Sequence, residues 1–138
     1  MANRVLDSWA LIAFFEDEPA AEAVEEIIDQ ANRDRHRLYL TAINWAEIYY
    51  STMREVSPAA AEAQAQAIAN LPIDVVGVND DLKLARQAAI YKATYRMSLA
   101  DAFGAALAKE KKAEFVTGDP EFKALEKEIK IFWLKKSQ

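Results

Sequence analysis

Short apolar runs that give way to segments of helical period recur from one end of the chain to the other, and this alternation limits what it can fold into. Residues 3–6 read as a first strand, and at Asp7-Ser8-Trp9 the sequence turns into a helix through Phe15 with Ser8 as its cap. Glu18-Pro19 starts a second helix, whose Val24, Ile27, Ile28 and Ala31 keep the i, i+3, i+4, i+7 spacing of one buried stripe. Leu38-Tyr39-Leu40 is the next strand, and a helix follows from about Ala42 to Arg54. Ser57-Pro58 restarts a helix over the Ala-, Glu- and Gln-rich run Ala59 to Ala69. Pro72 ends it. Ile73 to Val78 reads as a buried strand interrupted by Gly77, and Asn79, Asp80 and Asp81 mark the start of a helix reaching Tyr95. Ser98 to Lys111 is another helix, with Leu99, Ala102, Phe103, Ala106 and Leu107 toward the core and Asp101 on a second stripe with Gly104, Ala105 and Ala108. Glu114 to Thr117 is a strand, Asp119 to Leu125 a short helix and Ile129 to Leu134 a last strand. Strands alternating with helices predict an α/β domain with a parallel sheet and right-handed crossovers. Residues 1–138, 52% of them apolar, are expected to form a single domain.

Composition narrows the chemistry. The chain has no cysteine, so disulfides and thiolate metal sites are excluded and a reducing compartment is expected. Its early apolar run, Trp9 to Phe15, is too short to span a bilayer and lacks a cleavage pattern, so a cytoplasmic protein with no membrane association is expected. A formal charge of −5 argues against gripping nucleic acid with the whole surface. Seven acids and no base lie between Glu16 and Asp29, while Arg33, Arg35, His36 and Arg37 follow closely, giving an acidic face and a basic edge. For either cluster alone, a solvated helix face is the favoured reading, and His36 is expected at the surface. A nucleic-acid substrate would require a local basic rim.

Four acids stand in comparable settings: Asp7 after the first strand, Glu47 in Asn44-Trp45-Ala46-Glu47, Asp101 in Ser98-Leu99-Ala100-Asp101, and Asp119 in Thr117-Gly118-Asp119-Pro120. Two carboxylates about 4 Å apart repel by roughly 4 kcal/mol at an effective dielectric near 20, so convergence requires a compensating charge. Hard oxygen ligands point to Mg²⁺ or Mn²⁺. Each acid also has a plainer role open to it: Asp119-Pro120 suits an N-cap, and Ser98 with Asp101, or Asn44 with Glu47, matches a capping box. Nucleophilic and phosphate-loop chemistries fare worse, with a single histidine and three isolated glycines. An aspartyl-phosphate enzyme would usually carry a second Asp at the position held by Trp9.

In their order and surroundings these motifs resemble the four acidic motifs of PIN-domain proteins, most of all the VapC-type toxins of toxin–antitoxin pairs, over almost the whole chain. The resemblance implies a three-layer α/β/α fold with a central parallel sheet, a Mg²⁺- or Mn²⁺-dependent endoribonuclease, a homodimer, and inhibition by a cognate antitoxin protein. It makes Asp7, Glu47, Asp101 and Asp119 the catalytic, metal-binding acids. Ser8 and Thr117 become neighbouring hydroxyls that orient a carboxylate or water, and Glu121 a supporting acid behind them. A metal-activated water attacking RNA would leave a 5′-phosphate and a 3′-hydroxyl. A catalytically weak PIN-like module that binds RNA or protein is the competing expectation, and a phosphohydrolase of small phosphates a more distant one.

Overall fold

The computed structural model describes residues 2–135. Five parallel strands, β1 (Ala2–Leu6), β2 (His36–Thr41), β3 (Ile73–Val76), β4 (Glu114–Thr117) and β5 (Ile131–Trp133), form one sheet in the order β3-β2-β1-β4-β5. Parallel neighbours cannot be joined by tight turns, so helices make the crossovers and cover both faces. They are α1 (Ser8–Phe15), α2 (Ala21–Asn32), α3 (Ala42–Glu55), α4 (Pro58–Ala69), α5 (Lys83–Thr94) and α6 (Leu99–Lys111), with a 3-10 helix at Pro120–Leu125. Strand alternation divides the core in two. Leu6, Leu38, Leu40 and Val116 face Leu11, Val24, Ile27, Ile28 and Ile48, whereas Val5, Tyr39 and Phe115 face Leu84, Ala88, Tyr91 and the small-residue side of α6. Each such fully buried Val, Leu or Phe contributes roughly 1.5–3 kcal/mol. The result is the expected three-layer α/β/α arrangement around a parallel sheet.

Local signals place most of the boundaries. Ser57 and Ser98 cap α4 and α6, accepting hydrogen bonds from the backbone N–H groups of Ala60 and Asp101, and Pro58 opens α4. Several expectations need correction. The cap position of α1 is held by Asp7, without a side-chain cap bond, and Ser8 is the first helical residue. α2 begins at Ala21 instead of Glu18-Pro19. β3 stops at Val76 and is a sheet edge, so it pairs on one side only and leaves Val75 48% exposed where a buried strand was predicted. α5 begins only at Lys83, after Leu82 takes a left-handed φ of 62°. Leu99, assigned to the core face of α6, is 50% exposed as the first residue of that helix, while Ala102 and Phe103 of the same stripe are buried. His36, expected at the surface, is buried: its ring packs beside Arg4, with Nε2 3.0 Å from the Ile27 carbonyl.

Candidate functional site

In a parallel α/β sheet, the carboxyl ends of the strands are where loops and helix N-termini converge, and ligands bind there. Asp7 lies one residue past β1. Its N–H still donates to Val116 O of β4 at 3.0 Å, which fixes the backbone and aims the side chain out of the strand end. The carboxyl group is 1% exposed. Thr117 Oγ1, at the end of β4, donates to Asp7 Oδ2 at 2.8 Å, while Oδ1 has no hydrogen-bond partner. Burial, then the charge of Asp101, pushes the Asp7 carboxyl well above the usual range, with smaller contributions from Glu47 and Asp119 and opposition from the Thr117 hydrogen bond.

The other acids come from three further elements. Glu47 lies on α3, half-buried. That helix is capped by Thr41, whose hydroxyl accepts from Asn44 N at 2.9 Å, so the predicted Asn44–Glu47 cap does not form and Glu47 is left to the site. Asp101 sits in the first turn of α6, its N–H held by Ser98 Oγ at 3.1 Å. Burial and then the charges of Glu47 and Asp119 raise the Asp101 carboxyl to about 6. Asp119 does cap the 3-10 helix, Oδ1 accepting from Glu121 N at 2.9 Å, and its own N–H donates to Thr117 Oγ1 at 3.0 Å. Capping and site membership thus coexist at Asp119, while Asp7 holds a cap position and makes no cap bond.

All four acids line one open depression of about 250 Å³, together with Ser8, Trp9, Ile12, Ser51 and Ser98. Carboxylate oxygens of Asp101, Asp119 and Glu121 lie within 4.8 Å of one another. Glu121, expected as a support, therefore presents its charge beside two of the predicted acids. Ser8 Oγ does not reach a carboxylate; it accepts from Asn44 Nδ2 at 2.9 Å. The basic segment Arg33 to Arg37 leads into the amino end of β2, at the opposite end of the sheet, and gives the depression no rim. A larger groove of about 850 Å³ at that end is lined by Lys109, Lys111, Lys112 and Lys130, but Glu128 and Glu114 engage Lys109 and Lys130, and among the described residues no cluster of three or more acids faces it. Asn44, which the sequence offers only as a cap, is a fully buried amide three residues before Glu47 on a helix whose other buried residue is Ile48.

Solved structures show the same fold. The DNA-bound VapBC of Salmonella typhimurium matches with a TM-score of 0.73 at 16% identity, covering 96% of this chain and 98% of that one. VapBC2 of Rickettsia felis, bound to a DNA fragment from its promoter, matches with a TM-score of 0.72 at 12% identity, covering 96% and 99%. Mycobacterium tuberculosis VapC20, a sarcin-ricin loop cleaving toxin, matches with a TM-score of 0.68 at 16% identity, covering 88% and 93%. At such identities the likeness is one of fold. No curated protein matches the sequence. The sequence pattern of the PIN domain, however, matches residues 4–128, so this chain belongs to the PIN-domain family.

Proposed function

We propose that this protein is a Mg²⁺- or Mn²⁺-dependent endoribonuclease, the toxin of a VapBC-type pair, with Asp7, Glu47, Asp101 and Asp119 as its catalytic acids. The observation that carries this reading is the buried Asp7 carboxyl, with one oxygen unpartnered, in a depression lined by three more acids. Burial and the neighbouring acids disfavour the ionised form of this carboxyl, and a bound divalent cation would favour it instead. Only oxygen donors face the depression from its acids, as hard Mg²⁺ or Mn²⁺ prefers, so the residues fit such an ion. Asp101, Asp119 and Glu121 would hold it, with Asp7 and Glu47 closing the set. When bound, the cation supplies Lewis acidity toward a phosphodiester and lowers the pKa of a water.

The chain's own residues do the rest. Thr117 holds Asp7 by one oxygen and the Asp119 backbone by the same hydroxyl, tying the ends of β1 and β4 into one acidic wall. Asp101, near 6, gives up its proton readily at neutral pH. Trp9 and Ile12 provide an apolar wall against which a sugar or base can rest while a phosphate faces the acids. Membership of the PIN family and likeness to DNA-bound VapBC structures and to a toxin-antitoxin complex from Klebsiella pneumoniae support a nuclease toxin with an antitoxin partner. A homodimer, residues 1–138 as one domain, and a cytoplasmic location belong to the same proposal. No helix among the described residues is long and apolar enough to cross a membrane.

The test is incubation with total cellular RNA, with and without chelator. Cleavage leaving 5′-phosphates should require Mn²⁺ or Mg²⁺ and fall about a hundredfold or more in Asp101→Asn. Equal cleavage by wild type and variant, or cleavage in chelator, overturns the proposal.

A further inference from the structure

The Asn44 amide is fully buried and spends its hydrogen-bonding capacity on three elements. Nδ2 lies 3.2 Å from the Ala100 carbonyl of α6 and 2.9 Å from Ser8 Oγ of α1, while Oδ1 accepts from Thr41 Oγ1 at the end of β2. Because a carbonyl can only accept, the Ala100 contact settles which side of the amide carries the N–H groups. Ser8 Oγ in turn donates to Asn44 O at 3.4 Å. Gly104 of α6 makes room for this approach, since a Cβ there would come within 3.2 Å of Asn44 Oδ1.

Capping does not account for the amide. Thr41 already satisfies the first turn of α3 through the Asn44 backbone N–H, and an apolar side chain of similar size would fill the same space. The identity of its partners is more informative. Ser8 directly follows Asp7, Ala100 directly precedes Asp101, and Glu47 stands three residues along α3 on the same face as Asn44. One planar group thus connects the three helices that begin at or carry three of the four acids. A rigid, fully satisfied amide transmits placement better than apolar contact, since its bonds fix direction as well as distance.

We infer that Asn44 is a positioning residue that sets the mutual placement of Asp7, Glu47 and Asp101, and through it the affinity of the depression for a divalent cation. The inference rests on the metal site proposed above. It is tested by titrating RNA-free protein with Mn²⁺ and following the free-ion electron paramagnetic resonance signal, for wild type, Asn44→Leu, Ser8→Ala and Ile68→Val. Ile68→Val trims the core of α4 away from the amide and controls for destabilisation alone. Asn44→Leu should weaken Mn²⁺ binding by about 10- to 100-fold, Ser8→Ala by about threefold to tenfold, and Ile68→Val not at all. Cleavage by Asn44→Leu should recover at raised Mn²⁺, whereas Asp101→Asn should not. If Asn44→Leu does not fold, Ser8→Ala decides, because it removes one of the same bonds with little change in volume. Wild type that binds Mn²⁺ alongside folded variants that bind it equally well overturns the positioning role and leaves the proposed function standing. Wild type that ignores millimolar Mn²⁺ overturns the metal site itself, and this inference with it.

Discussion

Arg4, whose partners cluster toward the amino end of the sheet, and Asp7, one residue past the carboxyl end of the same central strand, stand three residues apart, and the protein treats their charges in opposite ways. Around Arg4 each neighbour is a partner. Nε meets Glu114 Oε1 at 3.0 Å, Nη1 donates to Gln30 Oε1 at 3.0 Å, the guanidinium lies 4.9 Å from the centre of the Phe132 ring, and His36 packs alongside. Around Asp7 the charged neighbours are further acids, and one of its oxygens has no partner. Native structures rarely leave a buried polar atom unpaired, and a charged one costs the most. The satisfied end ties the sheet to its neighbours, whereas the unsatisfied end is the one to which the proposed function assigns a cation. Tyr91 Oη is the other unpartnered buried side-chain atom among the described residues, but it is neutral, its ionisation pushed up to about 12 mainly by burial, and its isolation costs far less.

The comparison breaks first if neutralising Asp7 behaves like an ordinary core mutation. Asp7→Asn keeps the shape and removes the like-charge repulsion, so the melting temperature in chelator should rise or hold steady. Wild type at about a hundred times the dissociation constant of Mn²⁺ should gain roughly 2.7 kcal/mol, and the variant nothing. A variant that melts lower in chelator and still responds to Mn²⁺ would show that the Asp7 carboxylate is structural.

At the satisfied end, the effect should be somewhat smaller and opposite in kind. Arg4→Met keeps apolar contact with Phe132 but strands Glu114, Gln30 and His36, and should cost about 1–3 kcal/mol while leaving the Mn²⁺ response unchanged. Urea unfolding with and without Mn²⁺ measures both. Loss of the Mn²⁺ response in Arg4→Met would mean that the two ends are not independent.

How much of this was legible in the sequence differs between the same two ends. The four acids that line the depression stood out because they sit in recurring contexts, at strand ends and in early helical turns. The order and kind of the elements were visible too, since apolar runs and cap residues such as Ser57 and Ser98 act locally. The network around Arg4 was not, because it joins side chains 26 to 110 residues apart, and a basic segment containing His36 reads as surface until the register of β1 against β2 is known. Edge position explains the misreading of β3 in the same way: Ile73–Val76 is apolar enough for a central strand, and only the sheet order leaves it with one neighbour. Asn44 was passed over because its partners on α1 and α6 lie 36 and 56 residues away.

The smallest effect expected is also the sharpest contrast between the ends, because their titrations run in opposite senses. Asp101 titrates near 6 in the folded protein against an ordinary value of 3.8. Its folded state holds the proton more tightly than the unfolded chain does, so the stability this contributes is fully present below about 3.8 and is lost as pH rises through about 6. Asp7, also raised, acts in the same sense. His36 is the reverse. Burial, and then the Arg4 charge, hold its pKa below the ordinary 6.5, outweighing the Ile27 hydrogen bond and Glu114, so its contribution is present above 6.5 and is lost as pH falls below it. Melting temperatures in chelator should show each arm when variants are subtracted from wild type. Asp101→Asn should gain on wild type as pH rises from 4 to 7, and His36→Gln should gain on it as pH falls from 7 to 5. Each arm should amount to a few degrees at most, since solvent reaches Asp101 and screens part of its repulsion. Saturating Mn²⁺ should reverse the Asp101 arm, because only wild type gains from the ion, and leave the His36 arm untouched. Difference curves that stay flat with pH, or that both respond to Mn²⁺, would show that the two ends do not differ in the way their hydrogen bonds indicate.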